Sequence, residues 1–448
     1  MLKAAVGRSA RATPAPFPGT PLPGPFPFLL ESAGGGRYTF AGADPSAVLL
    51  ARGDRLTLWR EGREETLRGN PFDAVRQLLA DHRVDNPEGL PLPGGAVGAL
   101  GYDLGQHLER LPHRAEDDLD FPDLLLGFYD TIYCADAAEG RTFRIDVSPR
   151  EEKRAIDPRL YAEVFGAGAT TARAGPNFTR EAYLAAIDRI KEYIAAGDVY
   201  QVNLSQRFHA RASASPFDIY RALRTASPAP YAAFLQFGRR AILSSSPEQF
   251  LELRDRRLVT RPIKGTRRRG ASPEEDERLS HELLSSPKDD AELAMIVDLE
   301  RNDLGRVSEY GTVRVSAPKV LERHPTIFHL SATVEGLLRR GLGPVDVLRA
   351  TFPGGSITGA PKIRAMEIID EIEPTRRAFY TGAIGALGFD GSMNLSIAIR
   401  TVLVDGADCF FQAGGGIVAD SDPAAEYDET LIKARAMAGA LGVDLSRR

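Results

Sequence analysis

Two cysteines and one tryptophan in 448 residues are the first shortages of this chain. Cys134 and Cys409 lie far apart and without Cys-x-x-Cys spacing, which excludes a disulfide framework and a cysteine-rich zinc site and suits a reducing, cytoplasmic compartment. Neither cysteine stands in a glycine-rich elbow, so a glutamine-splitting nucleophile is missing and any ammonia used must be supplied from elsewhere. Basic charge is not in surplus: 56 Lys and Arg against 61 Asp and Glu give a net charge of −5, the opposite of what a nucleic-acid binder shows. Apolar runs of the roughly 20 residues that span a bilayer are also missing. So are internal repeats and any regular alternation of strand and helix, which leaves an α+β class with mainly antiparallel sheet.

What is present is ordinary for a soluble globular protein: 43% hydrophobic and 26% charged residues. The length implies two or three domains or one large composite fold. Residues 1–27 carry Lys3, Arg8 and Arg11, no acid, and prolines from Pro14 to Pro27. A transit peptide would need an amphipathic helix that such proline density forbids, so a disordered or extended leader is expected. Residues 28–150 read as short strands (Arg37–Phe40, Ala47–Leu50, Leu56–Trp59, Gly95–Leu100) with one helix over Phe72 to His82. Residues 151–176 read as a connector, and 177–442 as the second, larger domain.

That last region opens on a helix capped by Thr179 and ended by Gly197. The next run, Val199 to Gln206, alternates, with Gln201, Asn203 and Ser205 on one face. That polar face would suit a polar ligand, although the strand on its own favours solvent. A helix starts at Ser286-Pro287, a cap followed by proline. A glycine-rich turn, Gly354 to Lys362, leads into another helix, strands follow over Gly382–Gly388 and Leu395–Val404, and a last helix begins near Asp422-Pro423.

Several patterns could carry chemistry. Asp289 and Glu292 are three apart on one helix, and Glu426 and Glu429 repeat the spacing on another. Two such pairs could hold a hard divalent cation such as Mg²⁺ through oxygen ligands, though Glu429 and Lys433 also have the i,i+4 order of a plain exposed helix. The Gly354–Lys362 turn lacks the Gly-Lys-Ser/Thr of a P-loop but would present backbone N–H groups to an anion. Gly414-Gly415-Gly416 could do so from an extended loop. Glu248, after Ser244-Ser245-Ser246-Pro247, would be a general acid if burial raised its pKa. Lys264 follows a buried strand, Leu258-Val259-Thr260, and precedes Gly265. An ordinary lysine is almost wholly protonated at neutral pH; burial and the fields of Arg261 and Arg267 would make it a nucleophile. In isolation it also fits a basic surface patch.

The order of these segments resembles the chorismate-binding enzymes. The resemblance runs from Thr179 to Leu441 through Asp198-Val-Tyr-Gln-Val-Asn-Leu-Ser, Leu243-Ser-Ser-Ser-Pro-Glu, Arg261-Pro-Ile-Lys-Gly-Thr and Ala291-Glu-Leu-Ala-Met-Ile-Val-Asp-Leu-Glu-Arg-Asn-Asp-Leu-Gly-Arg. It continues through Gly355-Ser-Ile-Thr-Gly-Ala-Pro-Lys, Tyr380-Thr-Gly-Ala-Ile-Gly, Ile399-Arg-Thr, Gly414-Gly-Gly-Ile-Val-Ala-Asp-Ser-Asp-Pro and Glu426-Tyr-Asp-Glu-Thr-Leu-Ile-Lys-Ala. The family implies two antiparallel sheets packed orthogonally as a sandwich with flanking helices. By resemblance, Glu292 and Glu429 would bind Mg²⁺, with Asp289 and Glu426 supporting through water. Tyr380, Arg400, Gly414, Gly415, Gly416 and Lys433 would grip the carboxylates of chorismate, and Thr266, His329 and Thr358 would line the pocket. Glu248 would be the general acid.

The run Pro262-Ile263-Lys264-Gly265-Thr266 is similar to that of the aminodeoxychorismate synthase component I branch, where the lysine attacks C2 of chorismate and ammonia from a glutamine amidotransferase subunit then adds at C4, toward 4-aminobenzoate and folate. Anthranilate synthase component I, the alternative, has alanine there. Isochorismate and salicylate enzymes carry a lysine base at the position of Gln201, which disfavours water as nucleophile here. A non-catalytic regulatory homologue would have lost acid, nucleophile or metal positions, all of which are present. Residues 28–150 resemble the anthranilate synthase regulatory region through Leu29-Leu30-Glu31-Ser32 and Gly36-Arg37-Tyr38-Thr39-Phe40. That implies a tryptophan site at Glu31, Ser32, Arg37, Tyr38, Pro230 and Tyr231.

Overall fold

The computed structural model describes residues 8–33, 35–148, 175–324 and 327–445. Among them, two sheets of twelve strands each are almost wholly antiparallel, the exception being the pairing of Arg8–Pro14 with Val84–Asp85. The first sheet runs from Gly359–Ala360 through Gln201–Arg211, Asp408–Ile417, Thr401–Asp405, Arg240–Ser246 and Tyr231–Phe237 to Phe28–Glu31, Tyr38–Gly42 and the N-terminal strands. The second runs from Ile263–Arg268 through Ile327–Leu337, Arg257–Arg261, Gln249–Arg254, Met393–Ile397 and Ala383–Gly388 to Gly95–Leu100 and the hairpins beyond. Residues of the N-terminal region and of the C-terminal half therefore share both sheets.

Alternation along the strands produces the sandwich. Phe28, Ala233, Leu235, Ile242, Leu403 and Phe410 of the first sheet face Val48, Leu50, Trp59, Val97, Leu125 and Ile384 of the second in one apolar core. At about 25 cal/mol per Å² of apolar surface, this layer is the main force holding the sheets together. The other face of the first sheet packs on the helices Pro216–Ala226 and Pro423–Ala440. Helix Pro287–Gly305 lies on strands Ile327–Leu337 and Ile263–Arg268 of the second. Among the described residues no helix is long and apolar enough to cross a membrane.

Helix Pro71–Asp81 and helix Arg180–Ala195, whose cap is Thr179, form where the sequence places them. Several expectations change. Of the disordered or extended leader, residues 8–14 take the extended form: they make a strand registered against Phe143–Ser148, with Arg8 bonded to the buried Asp130 at 2.7 Å. The segment Leu395–Val404 is not one strand. It breaks at Ala398-Ile399-Arg400, where Arg400 has φ 53°, and its halves belong to different sheets. The polar face of Gln201–Arg211 is not in solvent: Gln201, Asn203 and Ser205 are buried because the strand is covered on both sides, while Tyr200 just before it is 73% exposed. Gly414, Gly415 and Gly416 form no loop. They lie within the strand Asp408–Ile417, paired with Ser205, Leu204 and Asn203. The connector proposed for 151–176 falls outside the described residues except for its last two.

Candidate active site

Two chain crossings between the sheets build the site. After Arg240–Ser246 in the first sheet the chain passes through Pro247-Glu248 into Gln249–Arg254 in the second; after Met393–Ile397 in the second it passes through Arg400 into Thr401–Asp405 in the first. The crossings bond to each other: Ile397 N–H donates to Glu248 O at 3.1 Å, and Ser245 N–H to Arg400 O at 3.1 Å. Glu248 and Arg400 thus sit at a common corner because their backbones belong to neither ladder.

Lys264 reaches this corner from the strand Ile263–Arg268, where it pairs with Leu330. The register shifts between Lys264 and Thr266, and Gly265 takes φ +71°, a bulge that a glycine makes without strain. A Cβ on Gly265 would meet Asp289 Oδ1 at 2.8 Å, so the residue after the lysine is glycine for packing as well. Lys264 is half-buried, and its Nζ donates to the carbonyl of Ser356 at 3.2 Å. Burial pulls its pKa below the ordinary value; Glu292, Glu248 and Glu429 oppose this, and Lys433 adds to it. Burial pushes Glu248 the other way, above the ordinary carboxylate range, against the pull of Ser356 and Lys264. These are the directions a general acid and a nucleophilic amine require.

The carboxylate pairs lie on two helices that begin alike. Ser286 accepts from Asp289 N–H and Asp422 from Ala425 N–H, each followed by proline, so Asp289 and Glu426 fall in the first turn near the positive helix ends, with Glu292 and Glu429 a turn further on. Burial raises Glu292 and Glu426, and the charge of Glu429 adds to both. Burial would raise Glu429 too, but Lys433, Lys288 and Lys264 together hold it below its usual value. Each carboxylate already has a partner. Glu429 meets Lys433 Nζ at 2.6 Å, Glu426 accepts from Ser421 at 2.7 Å, Asp289 pairs with Arg267 at 3.2 Å, and Glu292 lies 3.9 Å from Lys288. Among the described residues no three metal-ligating side chains converge closely enough to hold an ion. The donor set of hard oxygens, with two carboxyls pushed up by burial and mutual repulsion, fits a divalent cation; the present distances suit the ion pairs instead.

The remaining expected residues divide. Lys433 Nζ donates to Gly414 O at 2.9 Å, and the half-buried Arg400 bonds the Lys433 carbonyl, so these join the corner. A Cβ on Gly415 would lie 3.2 Å from Glu426 Oε2 and 3.8 Å from both Glu429 and Lys433. The bare strand therefore allows the carboxylate helix to approach. Gly416 similarly abuts Gln201, whose buried amide has no hydrogen-bond partner. Tyr380 is buried against Arg377 and within the field of Arg400. His329 is held neutral, its pKa lowered to about 4 by burial with His324 and Arg400; its Nδ1 meets Thr266 Oγ1 at 2.9 Å and its buried Nε2 is unpartnered. Thr358, expected to line the pocket, is fully buried, and its hydroxyl bonds Gly354 O and Gly355 O at 3.1 and 3.2 Å, tying the glycine turn together.

Sequence reasoning missed the frame beneath. Arg377 and Glu373, 1% and 2% exposed, pair at 2.8 Å, and Arg377 also bonds Asn203 O and Ile357 O. Their i,i+4 spacing was the available signal. A separate cavity of about 540 Å³ lies between the sheets. Glu31, Ser32, Arg37, Tyr38, Pro230 and Tyr231 all line it, together with Met393 and Asn394. Glu31 is held by Tyr220 and Arg224, both at 2.5 Å, and Arg37 by Asp136 and Glu139.

A buried acid, an amine whose pKa burial lowers, an arginine and paired carboxylates lie around one corner, an arrangement suited to a small anionic substrate. The family model for chorismate binding enzymes matches residues 26–439. The chain belongs to that family and is a chorismate-utilising enzyme. It is 44% identical over 401 residues to aminodeoxychorismate synthase component 1 of Klebsiella aerogenes, covering 89% of this chain and 88% of that one. It is 41% identical over 427 residues to anthranilate synthase component 1 of Thermus thermophilus, covering 92% and 91%. The crystal structure of anthranilate synthase component I from Streptococcus pneumoniae superposes with a TM-score of 0.76 at 32% identity, over 90% of this chain and 92% of that one.

Proposed function

We propose that the protein aminates chorismate at C4, giving 4-amino-4-deoxychorismate on the route to 4-aminobenzoate and folate, with ammonia delivered by a separate glutamine amidotransferase subunit in the cytoplasm. Overall identity hardly separates the two named relatives, so the reading rests on one observation: Lys264, half-buried, with its amine pulled down by burial and facing Glu248.

In this mechanism the neutral Lys264 amine attacks C2. As the N–C2 bond forms, the two conjugated ring double bonds each shift one place and the C4–O bond breaks, with Glu248 giving its proton so that water departs. Ammonia then adds at C4, both double bonds shift back and the bond from C2 to Lys264 breaks, returning the amine. Arg400 and Lys433 are suited to the substrate's carboxylates, and the neutral His329 offers Nε2 as a hydrogen-bond group. Glu292 and Glu429 would hold Mg²⁺, with Asp289 and Glu426 supporting, once Glu429 exchanges Lys433 for the cation. The ion would supply charge neutralisation at the ring carboxylate.

Purified protein given chorismate, ammonium and Mg²⁺ tests this: the expected main product is aminodeoxychorismate, identified chromatographically or as 4-aminobenzoate after adding a lyase. Anthranilate fluorescence as the main signal without lyase would instead establish anthranilate synthesis, the reading favoured by the Leu29-Leu30-Glu31-Ser32 segment. The 540 Å³ cavity is assigned to tryptophan, as inhibitor or as a structural ligand. Calorimetric titration separates binding from none, and activity at saturation separates the two roles.

A further inference from the structure

A buried carboxyl close to this corner lies outside the mechanism. Glu300 is 3% exposed on helix Pro287–Gly305 and lies two turns beyond Glu292 on the same stripe. Its carboxyl rests against the glycine turn: a Cβ on Gly355 would stand 3.2 Å from Glu300 Oε1 and 2.5 Å from Leu299 Cδ2, and the Gly355 N–H stabilises the carboxylate. The next residue in that turn, Ser356, accepts the Lys264 amine through its carbonyl and bears on Glu248. Glu300 is therefore one peptide away from both groups assigned to the chemistry.

We propose that Glu300 is a positioning residue: its carboxyl braces the Gly355-Ser356 peptide and, through it, keeps the Lys264 amine and the Glu248 carboxyl in place. The proposal deepens the amination reading and rests on it. The charged groups around Glu300 are Asp303 on its own helix, Lys362 on the helix Lys362–Ile372 and Glu248 at the sheet crossing. Lys362 is taken by Asp303, which it bonds, and by the Thr351 carbonyl at 2.8 Å. Burial, then Asp303 and Glu248, push Glu300 up to about 8, against Lys362 and the Gly355 N–H. It therefore holds its proton to higher pH than an ordinary carboxyl does. Glu248 itself faces Lys264 and Lys433 as well.

The test compares Glu300→Leu with Glu300→Gln in the full chain, following chorismate consumption with ammonium and Mg²⁺ across pH 6 to 10. Leucine removes the polar brace; glutamine keeps its shape and polarity but cannot ionise. We expect E300L to lose kcat at least about tenfold with KM for chorismate changed less than about threefold, and E300Q to recover most of that loss. In E300Q the alkaline fall of kcat should move upward by about one pH unit or more, as expected when the group that ionises is removed. Equal kcat in the two variants, at any level, or an unmoved alkaline limb in E300Q overturns the proposal. Should E300L fail to fold, the E300Q profile decides alone. Product identity in the unaltered protein is read in the same assay, so failure of the amination reading is seen separately from failure of this one.

Discussion

Replacing Lys264 by alanine separates the covalent route from direct attack by ammonia. A tethered amine acts at an effective concentration of about 10⁵ M even at the low end for well-oriented groups. With an ordinary pKa only about 0.3% would be neutral at pH 8, which still leaves an effective few hundred molar against roughly 10 mM free ammonia. The covalent route should therefore carry about 10⁴ times the flux of any direct one, or about 5.5 kcal/mol. Burial lowers the Lys264 pKa, which enlarges the neutral fraction and makes this a lower bound. Removing the cation has a second effect, because Lys264 pulls down Glu248, Glu292 and Glu429, and all three should rise. The strand should survive, since position 264 is half-buried and its ladder pairing with Leu330 is backbone. The assay supplies glutamine and the amidotransferase subunit at limiting nitrogen, so that ammonium cannot rescue the variant. Residual turnover is expected as anthranilate, from ammonia at C2. Aminodeoxychorismate formed at the unaltered rate would refute the covalent route.

Other substitutions test the rest of the corner. Glu248→Gln removes the proton donor while keeping shape, and should lower kcat by about 10² to 10⁴; a kcat within threefold would remove Glu248 from the chemistry. Gly415→Ala places a Cβ 3.2 Å from Glu426 Oε2 and should raise KM for chorismate about tenfold, equal to about 1.4 kcal/mol, with steady-state kinetics as the check. Arg377→Met leaves Glu373 buried without its partner and should cost about 3–5 kcal/mol, read as a lower midpoint in urea. An unchanged midpoint would mean that Glu373 protonates or finds water.

Local signals were read best. Caps and prolines placed the carboxylate helices, and the apolar pattern placed strands such as Ala47–Arg52, Arg55–Arg60 and Gly95–Leu100. What escaped depended on non-local partners. The segment Leu395–Val404 has the alternation of one strand, and nothing in it announces that Met393–Ile397 joins Gln249–Arg254 while Thr401–Asp405 joins Arg240–Ser246. The polar residues of Gln201–Arg211 look solvent-facing until the neighbours that bury them are known. Gly414 to Gly416 suggested an anion loop because glycine runs usually are loops; here the glycines make room for the side chains of Glu426, Glu429 and Lys433. Glu300 was hidden because one acid within a charged run carries no sign of its burial.

In the proposed mechanism, burial is what would let acid and amine cooperate. Their ordinary pKa values, 4.5 and 10.5, differ by 10.5 − 4.5 = 6 units. With that gap, the form having Glu248 protonated and Lys264 neutral is about one part in 10⁶ of the enzyme between the two pKa values. Every unit by which the pKa values approach each other raises that population tenfold. Burial alone moves the acid up and the amine down, so one physical change narrows the gap from both ends. Glu292 and Glu429 work against it by holding the amine up, while Lys433 pulls both groups down together. Anything that neutralises Glu292 and Glu429 therefore favours the productive pair, including the cation those carboxylates are suited to hold. In the proposed mechanism the carboxylate helices would therefore do more than hold a cation: whether their charge is compensated would set how often Glu248 and Lys264 are both ready to react.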